Sequence, residues 1–292
     1  MALALREVVN KSAAYLRAAG LASPRLEAEL LAGKVLALDR TQLYVQYDRP
    51  VAEAELAALH ELLAARVRTG RPLAYLIGHK AFFGLVLSVD DGVFIPRPET
   101  EELVEAAATA LGQAGRDTQF ELLDLCTGTG AIGLALASVL PAARVTAVDL
   151  DRAAVLNAEA NARRLGLAGR FQAHCGDLWE GVPGGLRFDG IFANPPYVPR
   201  GDLASLPLEI KGHEPLAALD GGEDGLLLLR RIVTGAPERL KPGGVLGVEV
   251  GSRAQGDEVI ALVLEAGLTR AEFLPDLAGN MGFVMGRMGG LA

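Results

Sequence analysis

The second half of the chain alternates short apolar strands with helical stretches, and this alternation restricts the fold more than any other feature of the sequence. The predicted strands cover 120–125, 144–148, 170–174, 188–193 and 244–250. Strands that alternate with helices in this way form a mostly parallel sheet with helices on both faces. Two later strands, 269–274 and 282–288, are joined by a short turn-rich link. We therefore predict an α/β, Rossmann-like sheet that ends in an antiparallel hairpin.

The first 73 residues differ from this domain, because their apolar residues recur at helical spacing. We predict a small all-helical bundle over 1–73, which is either a packing domain or a docking surface for a partner. Residues 74–98 contain two strand-like pieces, 82–89 and 93–96, separated by the turn signal Asp90-Asp91-Gly92. This pattern predicts a β-hairpin linker before a third segment, 99–292, that contains the sheet.

Composition narrows the classes of function. A net charge of -8 argues against charge-driven binding to DNA or RNA. Two cysteines and four scattered histidines form neither a disulfide framework nor a metal-binding pattern. No apolar run suits a signal peptide or a membrane-spanning helix. We expect a cytoplasmic protein with no metal, no membrane contact and no direct nucleic-acid binding.

A glycine-rich turn follows the first predicted strand of the sheet, in the run Asp124-Leu125-Cys126-Thr127-Gly128-Thr129-Gly130. Glycines permit a tight turn and a close approach of the backbone to a ligand. The next strand ends at Asp149, 21 residues after Gly128, where a carboxylate can accept hydrogen bonds from both ribose hydroxyls. This motif alone fits both dinucleotide dehydrogenases and S-adenosylmethionine methyltransferases.

Three features favour the methyltransferases. Asp124 begins the turn, either as a ligand contact or as a carboxylate that holds loop amides. Asp177 follows the third strand and is placed to bind an adenine amino group. The fourth strand ends in Asn194-Pro195-Pro196-Tyr197. A dehydrogenase requires none of these.

The tetrapeptide 194–197 suits an acceptor nitrogen that carries two hydrogens. Ligands of open α/β sheets lie beyond the carboxyl ends of the strands, which is where Asn194 stands. The Asn194 side-chain oxygen and the Pro195 carbonyl can accept the two N–H bonds, while Tyr197 offers a flat face to a planar amide or base. Positioning of this kind supplies much of the rate of methyl transfer.

Two further predictions concern the surroundings of this site. The connection 198–222 is long, which is typical of functional loops, and we predict a lid or wall over the acceptor. Glu249 and Gln255 either hydrogen-bond near the crevice or form a solvated polar pair.

Over nearly its whole length the chain resembles the protein-(glutamine-N5) methyltransferases that modify peptide chain release factors. The resemblance rests on the runs 95–101 (IPRPETE), 124–132 (DLCTGTGAI), 194–199 (NPPYVP) and 213–222 (HEPLAALDGG). The NPPY run is shared with adenine methyltransferases of DNA and RNA. The IPRPETE and HEPxxAL runs are more specific.

The resemblance implies a class I methyltransferase that moves a methyl group from S-adenosylmethionine, leaving S-adenosylhomocysteine. The acceptor would be the glutamine amide of the Gly-Gly-Gln motif in bacterial class 1 release factors, and the N-terminal domain would contact that partner. The catalytic residues would be Asn194, Pro195 and Tyr197, and the glutamine would be held by Asn194, Pro195, Pro196 and Tyr197. The donor-binding candidates are Asp124, Cys126, Thr127, Gly128, Thr129, Gly130, Asp149, Asp177, Leu178 and Asn194.

Three alternatives stay open at this point. One is a glutamine methyltransferase of a ribosomal protein, which would have much the same motifs. Another is an adenine-N6 methyltransferase of nucleic acid, which the acidic balance disfavours. The third is a regulator that binds the donor without catalysis, which the intact NPPY run disfavours.

Overall fold

The computed structural model describes residues 3–112, 118–276, 279 and 281–290. Within them the chain divides into two compact units, Met1–His79 with Pro207–His213, and Lys80–Leu206 with Glu214–Ala292. The α-helices are α1 (Leu5–Ala18), α2 (Pro24–Leu36), α3 (Arg40–Val45), α4 (Glu53–Thr69), α5 (Leu73–Ile77), α6 (Thr100–Gly112), α7 (Ala131–Val139), α8 (Arg152–Arg164), α9 (Leu208–Lys211), α10 (Leu227–Arg239) and α11 (Arg253–Glu265). The strands are β1 (His79–Phe82), β2 (Leu85–Ser88), β3 (Glu121–Leu125), β4 (Arg144–Asp149), β5 (Phe171–Cys175), β6 (Phe188–Ala193), β7 (Leu240–Val250), β8 (Leu268–Pro275) and β9 (Gly282–Met288).

The first unit is a helical bundle, as predicted. Its core is formed by leucines that recur along α1, α2 and α4, among them Leu5, Leu16, Leu31 and Leu59. The helices α3 and α5 were not predicted separately, because six and five residues are too few to show a helical period. The short helix α9 belongs to this unit, although the sequence placed it in the long loop after the fourth strand of the sheet.

A buried ion pair connects helices of the first unit. Arg66 on α4 donates through Nε to Glu27 Oε2 of α2 at 2.7 Å, and its Nη1 pairs with Glu209 Oε2 of α9 at 2.9 Å. The side chains of Glu27 and Arg66 are both below 10% exposed. Three helices are therefore joined by one guanidinium, whose charge is neutralised inside the bundle.

The linker hairpin was predicted in the wrong place. Its strands are β1 and β2, and its turn is Phe83-Gly84, where φ is +47° and +74°. Positive φ at both central residues is the turn geometry that matches the twist of two antiparallel strands. The segment 93–96 is not a strand, and the Asp90-Asp91-Gly92 turn leads into it without a β partner. Gly84, which lies inside the predicted strand-like piece 82–89, is part of the turn.

The second unit contains a seven-stranded sheet in the described part of the chain, with the order β5-β4-β3-β6-β7-β9-β8. The strands β3 to β7 run parallel, and β9 lies antiparallel between β7 and β8. The chain moves outward from β3 to β5 and then returns to β6 beside β3. This reversal between β3 and β6 is the point where open α/β sheets bind ligands.

Alternate residues of the strands face two separate cores. Leu122 and Val145 face the core that includes residues of α6, α7 and α8, whereas Leu123 and Val148 face the core that includes residues of α10 and α11. A parallel sheet covered on both faces requires such continuous apolar strands. Strand β7 begins at Leu240, before the predicted start at residue 244. Residues 241–244 form a bulge between the pairs Phe188↔Leu240 and Gly190↔Val245.

The buried ion pair of the first unit gives a stability prediction. Arg66→Met should lower the free energy of unfolding by about 3–5 kcal/mol, because the Glu27 carboxylate stays buried without its neutralising guanidinium. Urea denaturation followed by circular dichroism measures the change. Arg6→Met is the matched control, since Arg6 pairs with Asp48 at the surface and should cost about 0–1 kcal/mol. Equal losses in the two variants would contradict this account of the bundle.

Candidate active site

The candidate site lies at the carboxyl edge of the sheet, where three parallel strands end side by side. Leu125 of β3 pairs with Val148 of β4 on one side and with Ala193 of β6 on the other. The residues that follow these pairs are therefore brought together. They are the glycine loop 126–130, Asp149 and Asn194, which the sequence singled out independently.

Asp124 lies beneath the glycine loop and holds it. Its Oδ2 accepts hydrogen bonds from Thr127 Oγ1 at 2.6 Å and from the Gly133 amide at 2.9 Å. The side chain is 1% exposed, and Oδ1 has no partner among the described residues. Burial raises the pKa of this carboxyl group to about 7. Asp124 therefore holds the loop to the start of α7, and its predicted contact with the donor stays a prediction.

Asp149 holds the same loop from the neighbouring strand. Its Oδ2 accepts from the Gly128 amide at 2.8 Å, and its Oδ1 accepts from the Asp151 amide at 2.9 Å. Burial raises the pKa of this carboxyl group above its usual value. Each carboxylate oxygen has two lone pairs, so a ligand hydroxyl can still donate to either one.

A cavity of about 240 Å³ opens at this edge. Its walls come from the glycine loop, from the ends of β4, β5 and β6, and from segments near residues 93, 217 and 230. The residues that line it are Gly92, Val93, Phe94, Cys126, Gly128, Val148, Asp149, Leu150, Asp151, Ala154, Gly176, Asp177, Leu178, Asn194, Pro196, Pro215, Ala217, Ala218, Leu228 and Arg231. The segment 215–218 therefore supplies a wall, as part of the predicted lid or wall.

A smaller cavity of about 30 Å³ lies between the glycine loop and Asn194. It shares Phe94, Cys126, Gly128 and Asn194 with the larger one. Its remaining walls are Pro96, Thr100, Thr127, Thr129, Ala131 and Ile132. Gly130 lines neither cavity and stands at the N-cap of α7, with φ at +82°.

The backbone of the loop fits a ligand that lies directly on it. Gly128 has a φ of +55°, and apart from Gly128 and its two chain neighbours no heavy atom of the described residues lies within 4 Å of the position of a Cβ there. Any side chain at this position would extend into open space at a wall of the cavity. Cys126 also has a positive φ, +57°, and burial raises the pKa of its thiol well above the usual value. The thiol is therefore a neutral wall group. A nucleoside-containing donor such as S-adenosylmethionine fits this combination of an open glycine backbone and a neighbouring carboxylate.

Asp177 and Leu178 close the end of the cavity next to β5. The Asp177 carboxylate pairs with Arg231 of α10 at 3.0 Å, and Leu178 is buried with a φ of +49°. Trp179 donates through its indole N–H to the Arg231 carbonyl at 2.9 Å, which fixes this turn against α10. Sequence reasoning missed Arg231 and Phe94, because neither stands in a motif.

Asn194 belongs to a buried chain of polar groups. Its Nδ2 donates to Thr100 Oγ1 at 3.0 Å, and Thr100 Oγ1 donates to Glu249 Oε2 at 2.6 Å. The Tyr197 hydroxyl donates to Glu249 Oε1 at 3.3 Å. Pro195 is buried between them, and its predicted use as an acceptor of an N–H bond stays a prediction.

Glu249 is not part of a solvated pair, which corrects one of the two alternatives. The side chain is 2% exposed. Burial raises its pKa to about 7, although hydrogen bonds from Thr100, Tyr197 and Asn194 favour the charged form. Gln255 is separate: its Nε2 donates to the Tyr197 carbonyl at 2.8 Å, and its Oε1 accepts from the Gly251 amide at 2.9 Å.

The IPRPETE and HEP runs, which are distant in the sequence, meet at the carboxylate of Glu214. Glu214 accepts from Arg97 Nη2 at 2.5 Å and from the Ile95 amide at 3.3 Å, and its side chain is fully buried. The IPRPETE and HEP runs therefore hold each other in the wall next to Phe94 and Pro215.

The sheet order, the antiparallel last pair of strands and the cavity at the reversal between β3 and β6 define a class I methyltransferase fold, as predicted. A solved methyltransferase from Pyrococcus furiosus has this fold, with a TM-score of 0.53 and 17% identity over 72% of this chain and 92% of that chain. The N-terminal domain of human METTL16 in complex with SAH gives a TM-score of 0.52 with 14% identity, over 81% and 82% of the two chains.

The chain belongs to the release factor glutamine methyltransferase family. Residues 7–78 match the PrmC N-terminal domain and residues 99–205 match the methyltransferase small domain. The release factor glutamine methyltransferase of Moorella thermoacetica is 41% identical over 95% of this chain and 96% of its own length. The protein of the same name from Geobacter sulfurreducens is 40% identical over 98% and 97%, and that from Mycolicibacterium smegmatis is 42% identical over 96% of each.

The described residues contain no group of three or more His, Cys, Asp or Glu side chains that could hold a metal ion. Among them, too, no helix combines the length and the apolar character that crossing a membrane requires.

The raised pKa of Asp124 gives a prediction for stability against pH. Between its unfolded pKa near 3.8 and its folded pKa of about 7, the folded protein holds a proton that the unfolded chain has lost. The free energy of unfolding should therefore fall as pH rises across this window, by up to about 1.4 kcal/mol per pH unit from this group. Asp124→Asn, which keeps an acceptor oxygen for Thr127 and Gly133, should remove that part of the slope.

Urea denaturation at pH 5, 6 and 7, followed by the fluorescence of Trp179, measures the slope, because Trp179 is the single tryptophan of the chain. Asp257→Asn, an exposed side chain on α11, controls for the loss of one acidic group. Parallel slopes in the wild type and Asp124→Asn would show that Asp124 is not the buried group that takes up the proton.

Proposed function

We propose that this protein transfers a methyl group from S-adenosylmethionine to the side-chain amide nitrogen of the glutamine in the Gly-Gly-Gln motif of bacterial class 1 peptide chain release factors. One observation carries the proposal: Asn194 lines the cavity next to the glycine loop, in a chain that belongs to the release factor glutamine methyltransferase family. The expected location is the cytoplasm, because release factors act there on translating ribosomes.

The donor would occupy the cavity of about 240 Å³. Asp149 would accept hydrogen bonds from the ribose hydroxyls, Asp177 would accept from the adenine amino group, and Leu178 would contact the base. Gly128 would allow the donor to approach the loop backbone. The donor supplies an electrophilic methyl group on a positively charged sulfur, and the neutral Cys126 thiol adds no competing anion at this wall.

The acceptor requires positioning more than activation by a base. The lone pair of an amide nitrogen is delocalised, so the nitrogen is a weak nucleophile until it is held in line with the reacting carbon. Asn194 Oδ1 and the Pro195 carbonyl would accept its two N–H bonds, and Pro196 and Tyr197 would flank the planar amide. Holding two reactants in line can supply about 7–11 kcal/mol of the barrier, and the proton can leave once the nitrogen has been methylated.

The helical unit would contact the release factor outside the reacting glutamine. The acidic balance of the chain, -8, supports a protein substrate rather than nucleic acid. No nucleic-acid surface is required for this assignment, because the target motif is presented by the release factor itself.

A direct test offers the protein several acceptors at once. Purified class 1 release factors, ribosomal proteins, RNA and DNA are each incubated with isotopically labelled S-adenosylmethionine, and mass spectrometry locates the added methyl group. We expect one methyl group on the glutamine of Gly-Gly-Gln and no label on a release factor in which that glutamine is replaced by alanine. Label on a ribosomal protein glutamine or on adenine, with none on release factors, would contradict the proposal in favour of that substrate.

The donor assignment gives its own prediction. Asp149→Ala should weaken binding of S-adenosylhomocysteine by at least about 10–100-fold, because even one hydrogen bond from a ligand hydroxyl to a charged acceptor is worth about 1.5–3 kcal/mol. Asp149→Asn, which keeps one acceptor oxygen, should lie between the wild type and Asp149→Ala. Isothermal titration calorimetry measures the dissociation constants. An unchanged dissociation constant in both variants would remove Asp149 from the donor site.

A further inference from the structure

Hydrogen bonds join Glu249, Thr100 and Asn194 behind the site. The chemistry of these groups determines which of them donates and which accepts in each bond. Glu249, near the end of β7, and Thr100, the first residue of α6, are 2% and 3% exposed. Thr100 Oγ1 lies 2.6 Å from Glu249 Oε2, a short distance that is typical of a hydroxyl donating to a carboxylate. A carboxylate can only accept, so the single hydrogen of the Thr100 hydroxyl points to Glu249.

It follows that Thr100 can only accept a hydrogen bond from Asn194. The oxygen and nitrogen of an asparagine amide are distinguished by the hydrogen bonds around them. Because the Thr100 oxygen has no second hydrogen to give, the amide of Asn194 must present its NH₂ group to Thr100, at 3.0 Å. The Oδ1 atom is then the end of the amide that is left for a ligand in the cavity that Asn194 lines.

We propose that Thr100 and Glu249 are positioning residues for methyl transfer: they fix the side-chain amide of Asn194 with Oδ1 toward the acceptor nitrogen. The inference rests on the proposed function, in which Oδ1 accepts an N–H bond of the substrate glutamine. In the opposite orientation the NH₂ group of Asn194 would face the N–H bonds of that glutamine. Two donors would then oppose each other, and the acceptor would lose its alignment.

The same carboxylate also holds the other side of the acceptor site. Tyr197 donates its hydroxyl to Glu249 Oε1 at 3.3 Å, so each carboxylate oxygen orients one residue of the Asn194–Tyr197 segment. Glu99 is the nearby carboxylate that opposes the charged form of Glu249. The pKa of Glu249 is raised to about 7, mainly by burial. Above that pH the side chain is mostly ionised, which is the form that accepts both hydrogen bonds.

The test compares three variants at pH 8 with release factor as substrate. Thr100→Val keeps the shape of the side chain but removes the hydroxyl, and we expect kcat to fall about 10–100-fold while the dissociation constant of S-adenosylhomocysteine stays within about threefold of the wild type. Thr100→Ser keeps the hydroxyl and should retain most of kcat. Thr146→Val removes a mostly buried hydroxyl on β4 and should leave kcat unchanged.

Glu249→Leu provides a second route if Thr100→Val does not fold. Leucine cannot accept from Thr100, which frees the threonine hydrogen to bond Oδ1 of Asn194 and removes the cause that fixes the amide. We expect a loss of kcat like that of Thr100→Val, with donor binding retained. Wild-type kcat in Thr100→Val or in Glu249→Leu would overturn the inference, and so would a Thr100→Ser variant as slow as Thr100→Val.

A measurement without turnover separates this inference from the proposed function. The side-chain NH₂ signals of Asn194, assigned by their disappearance in Asn194→Ala, are followed by ¹⁵N nuclear magnetic resonance. In the wild type they should exchange slowly with solvent, and in Thr100→Val they should shift and exchange faster. Unchanged signals in Thr100→Val overturn the inference even if the enzyme is active. If the wild type methylates no release factor, the proposed function fails, and these signals still decide how Asn194 is held.

Discussion

The site depends on two buried carboxylates that hold the glycine loop from below and from the side. Asp124 binds Thr127 and the start of α7, and Asp149 binds the Gly128 amide. A loop with positive φ at both Cys126 and Gly128 would otherwise have many accessible shapes. Because the carboxylates bind the Thr127 hydroxyl and the Gly128 amide, the loop keeps one shape, and the cavity beyond the carboxyl ends of β3, β4 and β6 follows from it.

Most of the α/β unit could be predicted, because its strands are continuous apolar runs separated by helical periods. The ends of β3, β4, β5, β6, β8 and β9 lie within about a residue or two of the prediction. The hairpin was misplaced, since Phe83-Gly84 carries only a weak turn signal and an adjacent Asp-Asp-Gly run carries a strong one. Helices as short as α3 and α5 give no period to detect.

Residues of the site that stand in sequence motifs could be predicted, and residues that reach it only through packing could not. Motif residues that line the cavity, such as Asp149 and Asn194, could be found because strand ends converge in a parallel sheet. The roles of Thr100 and Glu249 could not be found, because a hydrogen bond across 149 residues of sequence leaves no local pattern. For Glu249 the sequence left two alternatives open, a hydrogen bond near the crevice or a solvated pair, and its burial decides between them. Arg231 lines the cavity from α10 without any motif, so only the packing reveals it.

An acceptor that is a weak nucleophile explains why Glu249, Thr100 and the NH₂ group of Asn194 are joined by hydrogen bonds behind the site. A hydrogen bond in a site shielded from water is stronger, and its direction is better defined, than at the surface. The network from Glu249 through Thr100 to Asn194 therefore fixes the orientation of the Asn194 amide before the substrate binds. Catalysis by alignment depends on such preorganisation, since little is gained if the site must reorder during the reaction.

The central claim is that an immobilised glutamine amide meets the donor beside Asn194, and a crystal structure of this protein with S-adenosylhomocysteine and a Gly-Gly-Gln release factor tests it most directly. The account predicts the donor in the cavity at Gly128 and Asp149, with the glutamine nitrogen bonded to Asn194 Oδ1 and facing the sulfur across a gap that fits a methyl group about 3 Å from the nitrogen. A structure in which the sulfur lies away from Asn194, with no room for a glutamine side chain between them, would contradict it.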